Sequence, residues 1–299
     1  MKVGEVAVVG RPNAGKSTLV NALVGEKVAI VSDKPQTTRR RILGVARLPG
    51  AEIALIDTPG IHRPQYKMNA AMVREATDSL ASADIVLLVV DATEPPGPGL
   101  AFILERLKEV QAETPAILAV NKIDRLRKDR LLPMLDDLSK RHAFREIVPV
   151  SAKTGDGVER LSAVLAANLP EGEPGYPEDF LTATPETEWI AEVIREKLLE
   201  RTRDELPFAH AVVIESVKPA EGKDLTVVRA SIVVEREGQK GIVVGKGGSM
   251  IREIGKAARE ELEAELSRRL YLELTVRVEP DWRNDEAFLS RLRGGTQRS

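Results

Sequence analysis

"EVAVVGRPNAGKSTLVNALVG", residues 5–25, places an apolar run, a glycine-containing turn and an amphipathic stretch in direct succession. A short Val-rich run of this kind is what a strand buried on both faces looks like. The stretch from Lys16 onward reads as a helix. Between them, Gly10, Gly15, Lys16 and Ser17 fit the spacing G-x-x-x-x-G-K-S/T. Glycines at those points let backbone N–H groups converge on phosphate oxygens, and the helix N-terminus adds positive potential. Lys16 is placed to reach β- and γ-phosphates and Ser17 to ligate Mg²⁺, with Asn13, Ala14 and Thr18 as the rest of the cradle.

The pattern continues outward. "EIALID", "DIVLLVV", "AILAVN" and "EIVPVS" are further short apolar runs, alternating with helical stretches such as "LAFILERLKEV" and "GVERLSAVLAANL". Strand–helix repetition predicts a doubly wound α/β domain with a mostly parallel sheet, over residues 1–170. Such sheets carry their ligands at the carboxyl ends of the strands. A segment rich in Pro, Gly and acidic residues, 171–186, reads as a linker. Residues 187–299 then follow an α-β-β-α-α-β order with a short closing helix, a second domain of α+β type.

Three short motifs fall at predicted strand ends. "DTPG", 57–60, gives Asp57 a path to Mg²⁺, usually through water, and the Gly60 N–H a path to a γ-phosphate. "NKID", 121–124, gives Asp124, whose carboxylate can accept from both N1–H and the N2 amino group of guanine, donors that adenine lacks. Asn121 could meet the other edge of the base, and the Lys122 stem could cover its ring. "SAK", Ser151–Ala152–Lys153, offers a backbone N–H for guanine O6. Sites built on such bonds reject analogues because buried polar groups would go unpaired.

In this order the motifs resemble those of the translation-factor class of P-loop GTPases. The resemblance implies GTP and GDP as ligands, Mg²⁺ as cofactor, and a further threonine between the first two motifs. "DKPQTTRRR", 33–41, offers Thr37 and Thr38. Thr38 is favoured, since it directly precedes the basic run as in related GTPases with a Thr-Arg step; a solvated polar loop is the other reading. Lys16, Thr38 and Gly60 are then the groups expected at the transferred phosphate, with Ser17, Thr38 and Asp57 around the metal. After "DTPG" stands Ile61, where GTPases of the Ras type have a glutamine that orients water. Slow intrinsic hydrolysis is therefore expected. Several relatives sharing Asn13 are stimulated by potassium, which implies K⁺ as a charge-stabilising ion here; a loop-stiffening role is the alternative. Residues 33–41 and 61–69 would be the two segments that sense the γ-phosphate. His62, within the second, needs no role beyond solvation.

"VVGKGGSMIREIG", 243–255, holds a second glycine loop, but no Ser or Thr follows its lysine. Gly245, Lys246, Gly247 and Gly248 fit G-x-x-G between two helical stretches. That resembles the loop of a KH domain of type II, which clamps the backbone of single-stranded nucleic acid. Ile242, Val243, Val244, Ile251 and Ile254 are the expected groove floor, and Lys240, Lys246, Arg252 and Lys256 the expected phosphate contacts. Pairing one GTPase domain with one such module resembles the Era family across essentially the whole chain, also in "QTTRRRI" and "VRVEPDWRND". The resemblance implies a role in maturing the 30S ribosomal subunit and binding near the 3′ end of 16S rRNA. It also implies peripheral contact with the cytoplasmic face of the membrane, for which the sequence offers no amphipathic anchor. A monomer is expected. A membrane or stress signalling GTPase, or a catalytically inert GTP-loaded scaffold, are the rival classes.

Composition is compatible with this. The 299 residues include 44 Lys+Arg against 46 Asp+Glu, so any nucleic-acid site must be local rather than a global charge effect. The absence of cysteine excludes disulfide and thiolate-metal scaffolds and suits a reducing cytoplasm. No signal-type segment precedes the first strand, and the longest apolar run, "IVLLVVDA", is too short to span a bilayer.

Overall fold

The computed structural model describes residues 1–34, 37–61, 66–110, 114–202, 206, 209–222 and 224–294. Parts of the expected phosphate-sensing segments, including His62, lie outside them. The chain divides into two compact units, Met1–Gln65 with Asn69–Ala183, and Tyr66–Met68 with Thr184–Ser299.

The first unit is built on a six-stranded sheet in the order β2-β3-β1-β4-β5-β6. Its strands are β1 (Lys2–Gly10), β2 (Ile42–Leu48), β3 (Ala51–Asp57), β4 (Ile85–Asp91), β5 (Ala116–Asn121) and β6 (Glu146–Pro149). All neighbours are parallel except β2, which runs antiparallel to β3. The helices are α1 (Lys16–Val24), α2 (Lys67–Ser82), α3 (Pro98–Val110), α4 (Lys128–Ser139) and α5 (Val158–Asn168). Successive side chains of a strand point to opposite faces. Accordingly Val6 and Val8 enter a core with Leu19, Val20, Leu161 and Leu165, while Ala7 and Val9 enter another with Ala76, Leu80, Ile103 and Leu107. This two-sided burial explains why the strands read as unbroken apolar runs.

Two elements escape the sequence reading. Strand β2 carries Gly44 and Arg47 and does not read as a continuous apolar run. Helix α2 begins inside the segment assigned to phosphate sensing.

Residues 171–183 lie along the first unit rather than apart from it. Thr182 bridges to Gly44, the Val45 N–H donates to Leu181 O at 2.9 Å, and Glu171 bridges to Lys2. The Arg47 guanidinium donates to the carbonyls of Pro177 and Phe180. Glu52, buried, accepts the Gly175 N–H at 2.7 Å. The rings of Tyr176 and Phe180 stack at 5.0 Å. The outer side of β2 is therefore occupied.

The second unit has α6 (Glu186–Arg201), β7 (His210–Pro219), β8 (Thr226–Val234), α7 (Glu237–Val244), α8 (Ser249–Leu266), β9 (Leu270–Val278) and α9 (Glu286–Gly294). Its sheet order is β7-β8-β9, with β8 and β9 parallel. Val228, Ala230, Ile232 and Val234 of β8 face Ile190, Ile194 and Leu198 of α6 and Ile254, Ala258 and Leu262 of α8. Among the described residues, no helix is long and apolar enough to cross a membrane.

Candidate functional site

The turn after β1 brings the first site together. Gly15 adopts φ 88° as it opens α1, and a Cβ there would sit 2.3 Å from Asn121 Nδ2, so only glycine fits. A Cβ on Gly60 would likewise press on the Pro12 backbone nitrogen at 2.7 Å, which seats the "DTPG" turn directly on the phosphate loop. Lys16 is buried, its Nζ donating to Arg11 O at 3.2 Å and to Gly10 O at 3.5 Å. Burial pulls its pKa down although Asp57 works the other way. Burial likewise raises the pKa of Asp57 against the pull of Lys16, Ser17 and Thr38. Desolvation thus outweighs attraction for both charges, and a phosphate with its metal would relieve both.

Ser17, Thr38 and Asp57 converge. Ser17 Oγ donates to Asp57 Oδ2 at 2.6 Å, lies 2.8 Å from Thr38 Oγ1, and Thr38 Oγ1 donates to the same oxygen at 3.2 Å. Asp57 Oδ1 is buried and accepts nothing among the described residues. These all-oxygen donors suit Mg²⁺, which takes one carboxylate, hydroxyls and substrate phosphates rather than a full protein cage. Thr37 instead donates its hydroxyl to Lys34 O at 2.6 Å. The same cleft is lined by Asn13, Lys16, Ser17, Thr18, Thr38 and Gly60. Ala14 is buried in the loop behind it.

At the base end, Asp124 accepts the Ser151 hydroxyl at 2.7 Å through Oδ1. Asp124 and Lys153 are exposed. Asn121 takes a further part: its Nδ2 donates to Ala14 O at 2.9 Å and its Oδ1 accepts the Ala152 N–H at 3.0 Å. The amide therefore braces the phosphate loop against the "SAK" loop, and its second N–H and second lone pair remain for the edge of a base. Lys122, at φ 66°, donates to Asn13 O at 2.6 Å. It also pairs with Asp91 Oδ2 at 2.6 Å, a residue that no motif singles out. Ile61 is 1% exposed and belongs to the core beside α2 and α3, so its side chain is directed away from the cleft.

In the second unit, Gly245, Gly247 and Gly248 have φ of 70°, 60° and 76°, and a Cβ on Gly245 would lie 2.8 Å from the Met250 nitrogen. Lys246 and Gly247 are exposed, as is Arg252 one turn along α8. Ile242 is 37% exposed, whereas Val243 and Ile254 are 0% exposed. The latter two are corrected from groove floor to core: they face α6 and β8, and only Ile242 and the half-buried Val244 and Ile251 border the loop surface.

A family model described as a 50S ribosome-binding GTPase matches residues 5–122, and one described as a KH domain matches residues 205–283. GTPase Era of Geobacter metallireducens is 46% identical over 289 residues, 97% of this chain and 96% of that protein. GTPase Era of Geotalea uraniireducens is 48% identical over 287 residues, 96% and 95% of the two. The chain belongs to the Era family of GTPases. Crystal structures of Era agree with the fold. One, in complex with MgGDPNP and nucleotides 1506–1542 of 16S ribosomal RNA, superposes with a TM-score of 0.94 at 44% identity, over 98% of this chain and 99% of that one. Another, a point variant of Aquifex aeolicus Era bound to GDP·AlF4⁻, gives 0.93 at 44% identity, with the same coverage. The Era-family motifs name Asn121 and Lys122 but show neither the brace formed by Asn121 nor the partner of Lys122. A signal existed for the second: Asp91 is the one charge ending the apolar run of β4, in register with Asn121.

Proposed function

We propose that this chain is a GTP-hydrolysing switch that binds 16S rRNA near its 3′ end through its KH domain and assists maturation of the 30S subunit. The observation that carries it is the coexistence of a convergent Ser17–Thr38–Asp57 oxygen cluster and a Gly245–Gly248 loop that exposes Lys246 and Gly247 in one Era-family chain. The residues take definite parts. Lys16 exchanges the carbonyls of Gly10 and Arg11 for phosphate oxygens. Backbone N–H groups of the loop and of Gly60 hold the γ-phosphate while its charge redistributes. Ser17, Thr38 and Asp57 would hold Mg²⁺, which when bound neutralises charge shared by the β- and γ-phosphates. Asn121, Lys122, Asp124, Ser151, Ala152 and Lys153 receive the guanine. Filter binding of a 16S 3′-end RNA against a scrambled RNA, with multiple-turnover phosphate release from GTP, tests both halves. Equal affinity for the two RNAs, or a single burst without turnover, removes the corresponding half; the second result would leave an inert scaffold.

With Ile61 turned into the core, water must be oriented by something else. Asn13 is at φ 63° and its Nδ2 donates to Asp33 O at 2.7 Å, placing an amide and a main-chain carbonyl together at the cleft edge. Both groups carry oxygens of the kind that hold a monovalent cation, and K⁺ is the proposed one. Turnover in K⁺ buffer should exceed that in Na⁺ by roughly 10-fold or more, within what one charge-stabilising contact supplies. Equal rates in the two buffers would end the proposal. The same reading places the protein in the cytoplasm. A peripheral contact with the membrane goes with it, and flotation with anionic vesicles that leaves the protein in the pellet would remove it.

A further inference from the structure

We propose that Asp91 is the positioning residue that fixes Lys122 against the phosphate loop and thereby sets the affinity of the site for nucleotide. The inference rests on the guanine-nucleotide reading above.

Two non-glycine residues of this site, Asn13 and Lys122, hold left-handed backbone at φ 63° and 66°. Such conformations persist where the surroundings over-determine them. Here one ammonium group joins the two: Lys122 Nζ donates to Asn13 O at 2.6 Å and to Asp91 Oδ2 at 2.6 Å. The carboxylate is itself held. Asp91 Oδ1 accepts the Thr93 N–H at 2.8 Å and its hydroxyl at 2.6 Å, so Oδ2 is the oxygen left for lysine. Its side chain is 8% exposed and that of Lys122 25%, so water screens the pair little. The frame behind is rigid: Asp91 pairs in register with Asn121, and the Ala92 N–H donates to Asn121 O at 2.8 Å. Asn121 holds Ala14 O on the adjoining residue of the loop. Successive carbonyls of the phosphate loop, those of Asn13 and Ala14, are thus gripped from the end of β5, and Asp91 is the countercharge that keeps the first grip in place. Burial works to raise the Asp91 pKa, but the bonds from Lys122 and Thr93 override it and hold the carboxyl below its usual range. It is ionised wherever the lysine needs it.

Asp91→Asn is the test. The amide keeps an oxygen for Thr93 and therefore turns its NH₂ toward the Lys122 ammonium, replacing attraction with a clash of donors. In the full-length chain, titration with fluorescent GDP and GTP analogues should show both affinities falling by the same factor, roughly 10- to 30-fold, the scale of one hydrogen bond to a charged group. KM for GTP should rise in parallel and kcat stay within about 2-fold, because the loop is displaced before chemistry begins. The decisive readout is a double-mutant cycle. Placed on Lys122→Met, Asp91→Asn should cost less than about 2-fold more, since the lysine it acts through is gone. Fully additive losses with a lowered Tm would mean that Asp91 merely supports the fold. Unchanged affinity in the single variant would also overturn the inference. A wild-type chain that binds neither nucleotide would overturn the functional reading, and this inference with it.

Discussion

Asp124→Asn should lower affinity for guanine nucleotides by at least about two orders of magnitude while leaving the fold intact. Two charge-assisted bonds to the N1–H and N2 amino group become one neutral bond and one facing pair of donors, a change of roughly 3 kcal/mol or more. The side chain is exposed, and an asparagine can still accept the Ser151 hydroxyl that Asp124 Oδ1 accepts now. The melting temperature should therefore barely move. The amide has a compensating match. Xanthine keeps N1–H but carries a carbonyl where guanine has its amino group, so xanthine nucleotides should bind the variant better than the wild type. Competition among GDP, XDP and ADP reads all of this at once. Retained guanine preference in the variant, or wild-type binding of ADP as tight as GDP, would remove Asp124 from the base.

The second large effect belongs to the other glycine loop. Lys246→Asp with Gly247→Asp should weaken binding to a 16S 3′-end RNA by roughly 100-fold or more at moderate salt. The change adds three negative charges, two by reversing Lys246 and one at Gly247, where a phosphate backbone would run. It should also flatten the salt dependence by about 0.7 in log–log slope, the share of one lost cation on a single strand. Neither substitution should unfold the unit. Both residues are exposed, a Cβ on Gly247 would meet nothing within 4 Å, and aspartate tolerates left-handed backbone better than most residues. GTP turnover without RNA should be unaltered. Undiminished RNA affinity would refute the assignment of this loop.

Where the sequence is legible, a backbone constraint speaks through residue type. Gly15 and Gly60 are readable because a Cβ at either would collide with Asn121 or Pro12, and no other residue relieves that. The buried strands are readable because both of their faces meet apolar helices. Legibility fails where a residue's partner is remote. The motif of Asn121 speaks for a base contact but is silent on the brace its amide makes to Ala14 and Ala152, 107 and 31 residues away. Val243 and Ile254 flank the glycine loop in sequence but face inward, since a helix of 3.6 residues per turn buries one side only. Helix α2 was legible in principle: Met72, Ala76 and Leu80 recur every four residues and are all buried. Its first turn overlaps the segment 61–69, whose polar residues mask the start of the helix. Strand β2 was not, because Arg47 earns its place there through carbonyls beyond residue 170.

That last dependence bears on how the GTPase unit can be excised. A fragment ended at residue 170 would strip Leu181 and Thr182 from β2, and with them the acceptors of the Val45 N–H and the Arg47 guanidinium. A bare strand flank of this kind is a template for pairing with another molecule. Recombinant pieces should therefore run through Ala183, and oligomers seen in shorter ones would be artefacts of the cut rather than a property of the enzyme.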